Sequence, residues 1–237
     1  MTRRRALVLR HHLEDRPGLV GDALMARGFD LDVKLFGQAS PTPSLEGVDL
    51  VVILGSSSAV YDRDVERAWF ARELALIERA DRLGISVFGI CFGAQALCRS
   101  FGGVVKPGDS PEIGWYRVVP TADSPIVPGP WFEYHFDVCT LPVAATTWAT
   151  TSHCVQAFAI GRHVGVQFHP ELDAAQLSDW FGAGGDDART LGYDPTALIE
   201  QTRREESGAR ERAVALVDVV IAHAAAFGPN ATTESAT

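Results

Sequence analysis

Short apolar runs alternate with amphipathic stretches through the first hundred residues. Arg5–Leu9 carries the run Ala-Leu-Val-Leu, the pattern of a short buried strand, and a polar loop over 11–16 follows it. A helical stretch, Gly18–Arg27, passes through Gly28 into a second strand, Leu31–Leu35. Asp49–Leu54 holds Leu-Val-Val-Ile-Leu, a β-branched run with no alternation, as expected of a strand covered on both faces of a parallel sheet. Over Val65–Leu83 the apolar residues Phe70, Leu74 and Ile77 fall at i, i+4 and i+7, one face of a helix. Ile85–Ile90 is another buried strand, and Gly93–Phe101 is a helix ended by Gly102-Gly103. This β-α-β-α-β order predicts an α/β fold: a three-layer sandwich with a mostly parallel central sheet.

Between residues 104 and 168 the pattern changes. Strand-like pieces (Tyr116–Val119, Thr147–Ser152, Val155–Ile160, Val164–Phe168) are separated by Gly, Pro and Asp turns, which predicts hairpins that extend or flank the sheet. Three helical stretches follow: Ala174–Phe181, Pro195–Glu206 and Gly208–Phe227. The last carries Ala213, Leu216, Val217, Val220, Ala224 and Phe227 along one stripe and is expected to pack on the body of the domain. The chain contains no linker long enough to divide it, so residues 1–227 are expected to form one domain, with 228–237 a polar, frayed tail.

Composition narrows the function classes. With 21 basic against 30 acidic residues the formal charge is −9, which disfavours a phosphate-binding nucleic-acid partner. No apolar run approaches the roughly 20 residues of a membrane span, and the apolar stretch behind the basic N-terminus is too short for a secretion signal. Four cysteines, none in a Cys-x-x-Cys pair, do not make a disulfide scaffold. A cytoplasmic, reduced protein is the expectation; oligomeric state is not legible.

The most informative window is Gly89-Ile90-Cys91-Phe92-Gly93, where a buried strand runs directly into a helix. The glycines on either side of Cys91 allow a turn so tight that a side chain there would collide with strand or helix, and the corner residue is pushed out at the sheet's top edge. The helix N-terminus then favours a thiolate, the nucleophilic form of cysteine. Taken alone, the window also fits a buried structural cysteine. Cys98, Cys139 and Cys154 lack such flanks and read as small core residues. A nucleophilic cysteine needs a base, usually a histidine steered by a third group. Of seven histidines, His169 ends the strand Val164–Phe168 at the same sheet edge, and Glu171 follows at a distance that lets its carboxylate hold one ring nitrogen. His11-His12 follows the first strand at that edge with no third ligand at metal spacing, so these are read as loop residues and no metal site is expected. Asp62 to Asp64 read as a polar turn and helix N-cap.

Together, Gly89–Gln95 and Gly165–Glu171 resemble the class I glutamine amidotransferases, in particular the amidotransferase domain of GMP synthase. Glu112-Ile113-Gly114-Trp115 and the stretch Phe132-Glu133-Tyr134-His135-Phe136-Asp137, followed by Leu141-Pro142 and Gln156-Ala157-Phe158, resemble further family motifs. The resemblance implies a flavodoxin-like fold and a Cys91/His169/Glu171 triad. Its chemistry would release ammonia from L-glutamine, without a cofactor, through a γ-glutamyl thioester, and pass it to a separate synthetase. It also implies backbone oxyanion donors at Ser56 and Phe92, and substrate contacts at Gly55, Gln95, Gly114, Trp115 and His135. Gln95 by itself fits an exposed helix residue, and His135 with Asp137 fits a structural pair equally well. The loop Gly55-Ser56-Ser57 departs from the family's Gly-Gly-Pro, and a positive φ at Ser56 would cost on the order of 1 kcal/mol. The same chemistry with another leaving group would make a γ-glutamyl peptide or amide hydrolase; a catalytically inactive binding module is the third possibility.

Overall fold

The computed structural model describes residues 3–182 and 186–228. Its strands are β1 (Arg4–Arg10), β2 (Phe29–Leu35), β3 (Leu50–Ile53), β4 (Ser86–Ile90), β5 (Val104–Pro120), β6 (Gly129–Thr140), β7 (Ala145–Thr150), β8 (Val155–Ile160) and β9 (His163–Val166). They form one sheet in the order β2-β1-β3-β4-β9-β8-β7-β5-β6. The β2-β1-β3-β4-β9 part is parallel and the remaining pairs are antiparallel. The chain leaves β1 to build β2 on one side and then returns to build β3 on the other. Loops at the C-terminal ends of β1 and β3 therefore diverge, which opens a crevice at that edge.

Helices cover both faces. Alternate residues of the parallel strands point opposite ways, so Ala6, Val8, Leu50 and Val52 pack under α1 (Gly18–Ala26) and α7 (Pro195–Ala225), meeting Val20, Leu24, Leu216 and Val220. Leu7, Leu9, Val51 and Ile53 pack on the other face against α3 (Ala71–Arg82), the turn that precedes it and α4 (Phe92–Ser100), meeting Phe70, Ile77, Ala94 and Leu97. Each fully buried Leu or Phe in these layers contributes about 1.5–3 kcal/mol. The three-layer sandwich expected from the sequence is the observed architecture.

Three local features differ from the sequence pattern. The hairpin β5–β6 is far longer than the expected strand over 116–119, because the Pro- and Gly-rich segment after Lys106 is an irregularity inside β5: its register against β6 shifts between Pro107 and Glu112. The two helices expected over 195–206 and 208–227 are one helix of 31 residues that runs through Gly208. The helix expected over 65–83 is interrupted. A short α2 (Arg63–Val65), N-capped by Asp62 as expected, leads into a π-helical turn, Glu66–Phe70, before α3 begins. The wider turn rotates the following helix face, so Leu76 joins Phe70 and Ile77 in the core, Leu74 is half-buried, and Glu73 is completely buried. α5 (Ala174–Gly182) and α6 (Asp186–Thr190) complete the described elements. No described helix is long and apolar enough to cross a membrane. The polar tail expected over 228–237 lies, from 229 on, outside the described residues.

Candidate active site

Cys91 stands where β4 turns into α4, with φ 52° and ψ −106°, and among the described residues it alone departs from negative φ without being glycine. Backbone strain of this kind costs about 1–3 kcal/mol and persists only where the surroundings enforce it. They do so here. A β-carbon at Gly89 would lie 2.4 Å from the Gly93 carbonyl, and one at Gly93 would lie 2.2 Å from the Ile53 oxygen. Cys91 N–H donates to Val166 O at 2.8 Å, which pins the corner to β9, and the first turn of α4 begins at the sulfur.

His169 follows β9 at the same edge. Its N–H donates to Phe132 O at 2.8 Å, its Nδ1 is 2.8 Å from Glu171 Oε1, and its Nε2 is buried without a hydrogen-bond partner. Glu171 thereby fixes the tautomer and leaves Nε2 to face the sulfur. Burial opposes the imidazolium, but the charges of Glu171 and Cys91 outweigh it and raise the His169 pKa well above its usual value. The Glu171 carbonyl receives the Leu19 N–H at 2.9 Å, so the start of α1 braces the loop. Gly55 closes the group: a β-carbon there would sit 3.1 Å from His169 Cε1 and 3.8 Å from Cys91 Cβ. Ser56 has an ordinary negative φ, so the strain anticipated there is absent; its hydroxyl accepts from Ser58 N–H at 3.2 Å.

The other residues singled out from the sequence are distributed unevenly around this centre. Gln95 is buried, not exposed, and donates to Gln167 Oε1 at 3.3 Å; Gln167 in turn donates to Cys91 Sγ at 3.5 Å. Phe92 packs in the helix layer against Trp69 and Phe70. Gly114 takes φ +116°, a conformation that suits glycine, and faces Leu198. The Trp115 ring packs on Phe132 and its indole N–H donates to Thr202 on α7 at 3.0 Å. His135 lies in a buried polar cluster, its Nδ1–H donating to the Asp137 carbonyl at 3.0 Å and its Nε2 lying 3.1 Å from Glu112 and 3.4 Å from Glu133. Burial opposes its charge, yet the two carboxylates push its pKa up to about 10.

Glu112, His135 and Cys154 offer three ligand atoms within 4.8 Å of one another, a metal-like spacing among the described residues. The Gln156 amide nitrogen lies 2.7 Å from Glu112 Oε2, 3.3 Å from Cys154 Sγ and 3.5 Å from His135 Nε2, so it already ties the three together. Cys154, expected as an apolar core residue, is half-buried in this cluster, and burial with the Glu112 carboxylate raises its thiol pKa strongly. Gln167, Glu133 and Glu112 are not site candidates on the sequence alone. Gln167, the residue that follows β9, and Glu133, on β6, take their places beside Cys91 and His135 respectively only once the pairing of distant strands is known.

The family model for class-I glutamine amidotransferases matches residues 19–178. The chain belongs to that family. Over 155 residues it is 32% identical to a subunit of a glutamine-hydrolysing GMP synthase from Methanoregula boonei, covering 62% of this chain and 78% of that protein. It is 30% identical over 135 residues to a glutamine-hydrolysing GMP synthase from Neisseria meningitidis, but that match spans 52% of this chain and only 24% of the relative. Among solved structures, a glutamine amidotransferase from Thermotoga maritima superposes with a TM-score of 0.85 at 28% identity, covering 93% of this chain and 99% of that one. A glutamine amidotransferase from Methylobacillus flagellatus shares the fold, with a TM-score of 0.83 at 22% identity. Membership of the class I glutamine amidotransferases carries with it cysteine-based amide hydrolysis, and it makes the sulfur-bearing corner the natural focus.

Proposed function

We propose that this amidotransferase hydrolyses the side-chain amide of L-glutamine on Cys91, with His169 as proton carrier and Glu171 as its orienter, and supplies the ammonia to a separate synthetase. The observation that carries the reading is the strained corner at Cys91, set at a helix N-terminus opposite a buried His169–Glu171 pair. The chain holds a second Cys-His-Glu set, Cys154/His135/Glu112, and the contrast favours the first. Cys154 has a carboxylate against its sulfur, which opposes ionisation, and no helix begins at it.

In the proposed cycle the Cys91 sulfur attacks the carboxamide carbon, and the oxyanion that forms is received by the backbone N–H groups of Ser56 and Phe92. His169 delivers its proton to the departing nitrogen, so ammonia leaves and a γ-glutamyl thioester remains on Cys91. Water then gives a proton to His169 and its oxygen to the thioester carbon; glutamate departs and the sulfur is regenerated. Gly55, Gln95, Gly114, Trp115 and His135 complete the proposed surroundings of the substrate, Gln95 through Gln167. The synthetase partner rests on likeness to a protein named as a GMP synthase subunit.

The test uses the purified chain and its Cys91→Ala variant with L-glutamine and with γ-glutamyl peptides. Glutamate release from glutamine that the variant has lost is the expected result. Release from peptides alone would reassign the substrate to γ-glutamyl peptides. A protein that turns over neither, and whose Cys91 is not labelled by a glutamine-like electrophile, would be a binding module.

A further inference from the structure

His11, on the turn leaving β1, reads from the sequence as a loop residue; in the structure it is nearly buried and bonded at both ring nitrogens. Nδ1 lies 2.8 Å from the Gly55 carbonyl oxygen, and Nε2 lies 2.8 Å from Glu73 Oε2. A carbonyl oxygen only accepts, so Nδ1 must carry a proton. A second proton must lie between Nε2 and the carboxylate, whichever atom holds it. The pair is therefore electrically neutral as a unit, the condition under which two such groups can be buried together. Burial alone would drive the His11 pKa down; Glu73 and the Gly55 carbonyl overcome this and raise it.

The ring also stands 4.9 Å from Trp69 and edge-on to Phe92 at 5.0 Å. Trp69 belongs to the π-helical turn that precedes Glu73, so this local departure from α geometry helps bring both partners to His11. One side chain thus touches the two segments that carry the proposed oxyanion donors. In a trans peptide the C=O and N–H of one unit point in opposite directions. Anchoring the Gly55 oxygen toward His11 turns the Ser56 N–H away from it. We infer that His11, seated by Glu73, is a positioning residue that sets the Gly55–Ser56 peptide for oxyanion stabilisation. The inference rests on the glutaminase reading. It also accounts for a loop without the family's proline: Ser57 Oγ lies 3.1 Å from His12 Nε2, a second tie from the neighbouring histidine.

The experiment compares His11→Asn with His11→Gln. An Asn amide reaches where Nδ1 was and can still donate to Gly55, whereas a Gln amide reaches toward the Nε2 position and cannot. Each variant keeps one of the two bonds and loses the other, and the Asn variant, which leaves the buried Glu73 carboxylate without the ring, is the one that a purely structural role would damage more, as a thermal melt beside the kinetics would show. For glutamine hydrolysis, His11→Gln should lose at least tenfold, and up to about 10²-fold, in kcat with KM nearly unchanged, and His11→Asn should recover most of it. Capture of glutamate γ-semialdehyde, whose adduct on Cys91 places an oxygen in the same position, should weaken in parallel. Alkylation of Cys91 by iodoacetamide, which forms no oxyanion, should not change. Equal kcat in the two variants, or a loss mirrored in the alkylation rate, overturns the inference. A wild-type chain that neither hydrolyses glutamine nor captures the aldehyde would instead overturn the glutaminase reading beneath it.

Discussion

At Gly93 the missing side chain is a structural requirement, since any β-carbon would meet the backbone oxygen of Ile53, an atom held in the central sheet. Gly93→Ala is therefore expected to destabilise the protein by about 3 kcal/mol or more, the upper part of the range for overpacking. Gly182→Ala, at a site with nothing within 4 Å of the added carbon, is the matched control and should shift stability little. Urea midpoints of the two variants check this, and a Gly93→Ala protein as stable as the control would remove the steric account of the corner at Cys91. Glu171 is the second case at this scale. Replacing it with Gln keeps a hydrogen-bond acceptor for His169 Nδ1 but removes the charge that opposes the burial penalty, so the imidazole pKa must fall. Glu171→Gln is expected to lower kcat by about 10²-fold or more while the fold is preserved, measured by glutamate release beside a thermal melt.

Elements are legible in the sequence where a local pattern suffices. The parallel strands β1, β3 and β4 are continuous apolar runs because helices cover both their faces, and the Cys91 and His169 windows stand out because each motif is local. What cannot be read depends on contacts distant in sequence. The clamp on Gly55 joins residues 44 apart and the Glu73 contact joins residues 62 apart, so His11 presents only as a polar loop residue. The β5–β6 hairpin is obscured because Pro107-Gly108 and Pro111 are turn formers that here lie within a register shift. Helix α7 divides at Gly208 in the sequence pattern because glycine is a weak helix former; burial of Leu216, Val217 and Val220 against the sheet outweighs a local cost of about 1 kcal/mol. Its start, by contrast, is fixed locally: Asp194 accepts from Thr196 N–H at 2.9 Å and Pro195 begins the first turn. Asp194→Ala should cost about 1 kcal/mol in urea unfolding without altering Cys91 alkylation, because the cap acts on the helix end alone.

Over the whole molecule, the buried polar cluster around His135 couples folding to pH. His135 is pushed up to about 10 because Glu112 and Glu133 outweigh its burial, and Glu133 is pushed up to about 7 by burial. Both groups therefore bind protons more tightly in the folded chain than in the unfolded one. Glu133 loses its contribution as pH rises from 4.5 through about 7. The His135 contribution is fully present below 6.5 and is lost as pH rises through about 10. Glu112, whose pKa is lowered by His135 and Thr151 against its burial, works in the opposite sense and gives up its contribution as pH falls through the acid range. The expected maximum of stability is thus weakly acidic. The urea midpoint should decline between pH 6.5 and 10 by an amount worth a few kcal/mol, since each tenfold change in proton affinity is worth about 1.4 kcal/mol before the coupling is counted. Growing negative charge on a chain already at −9 adds to the same slope, so the variant comparison isolates the cluster. His135→Gln removes the titrating group: it should be less stable than wild type near pH 6 and should show a flatter decline toward pH 10. Parallel slopes in the two proteins would mean that His135 does not hold its proton between those carboxylates, and the charge balance drawn for the core behind Cys91 would have to be redrawn.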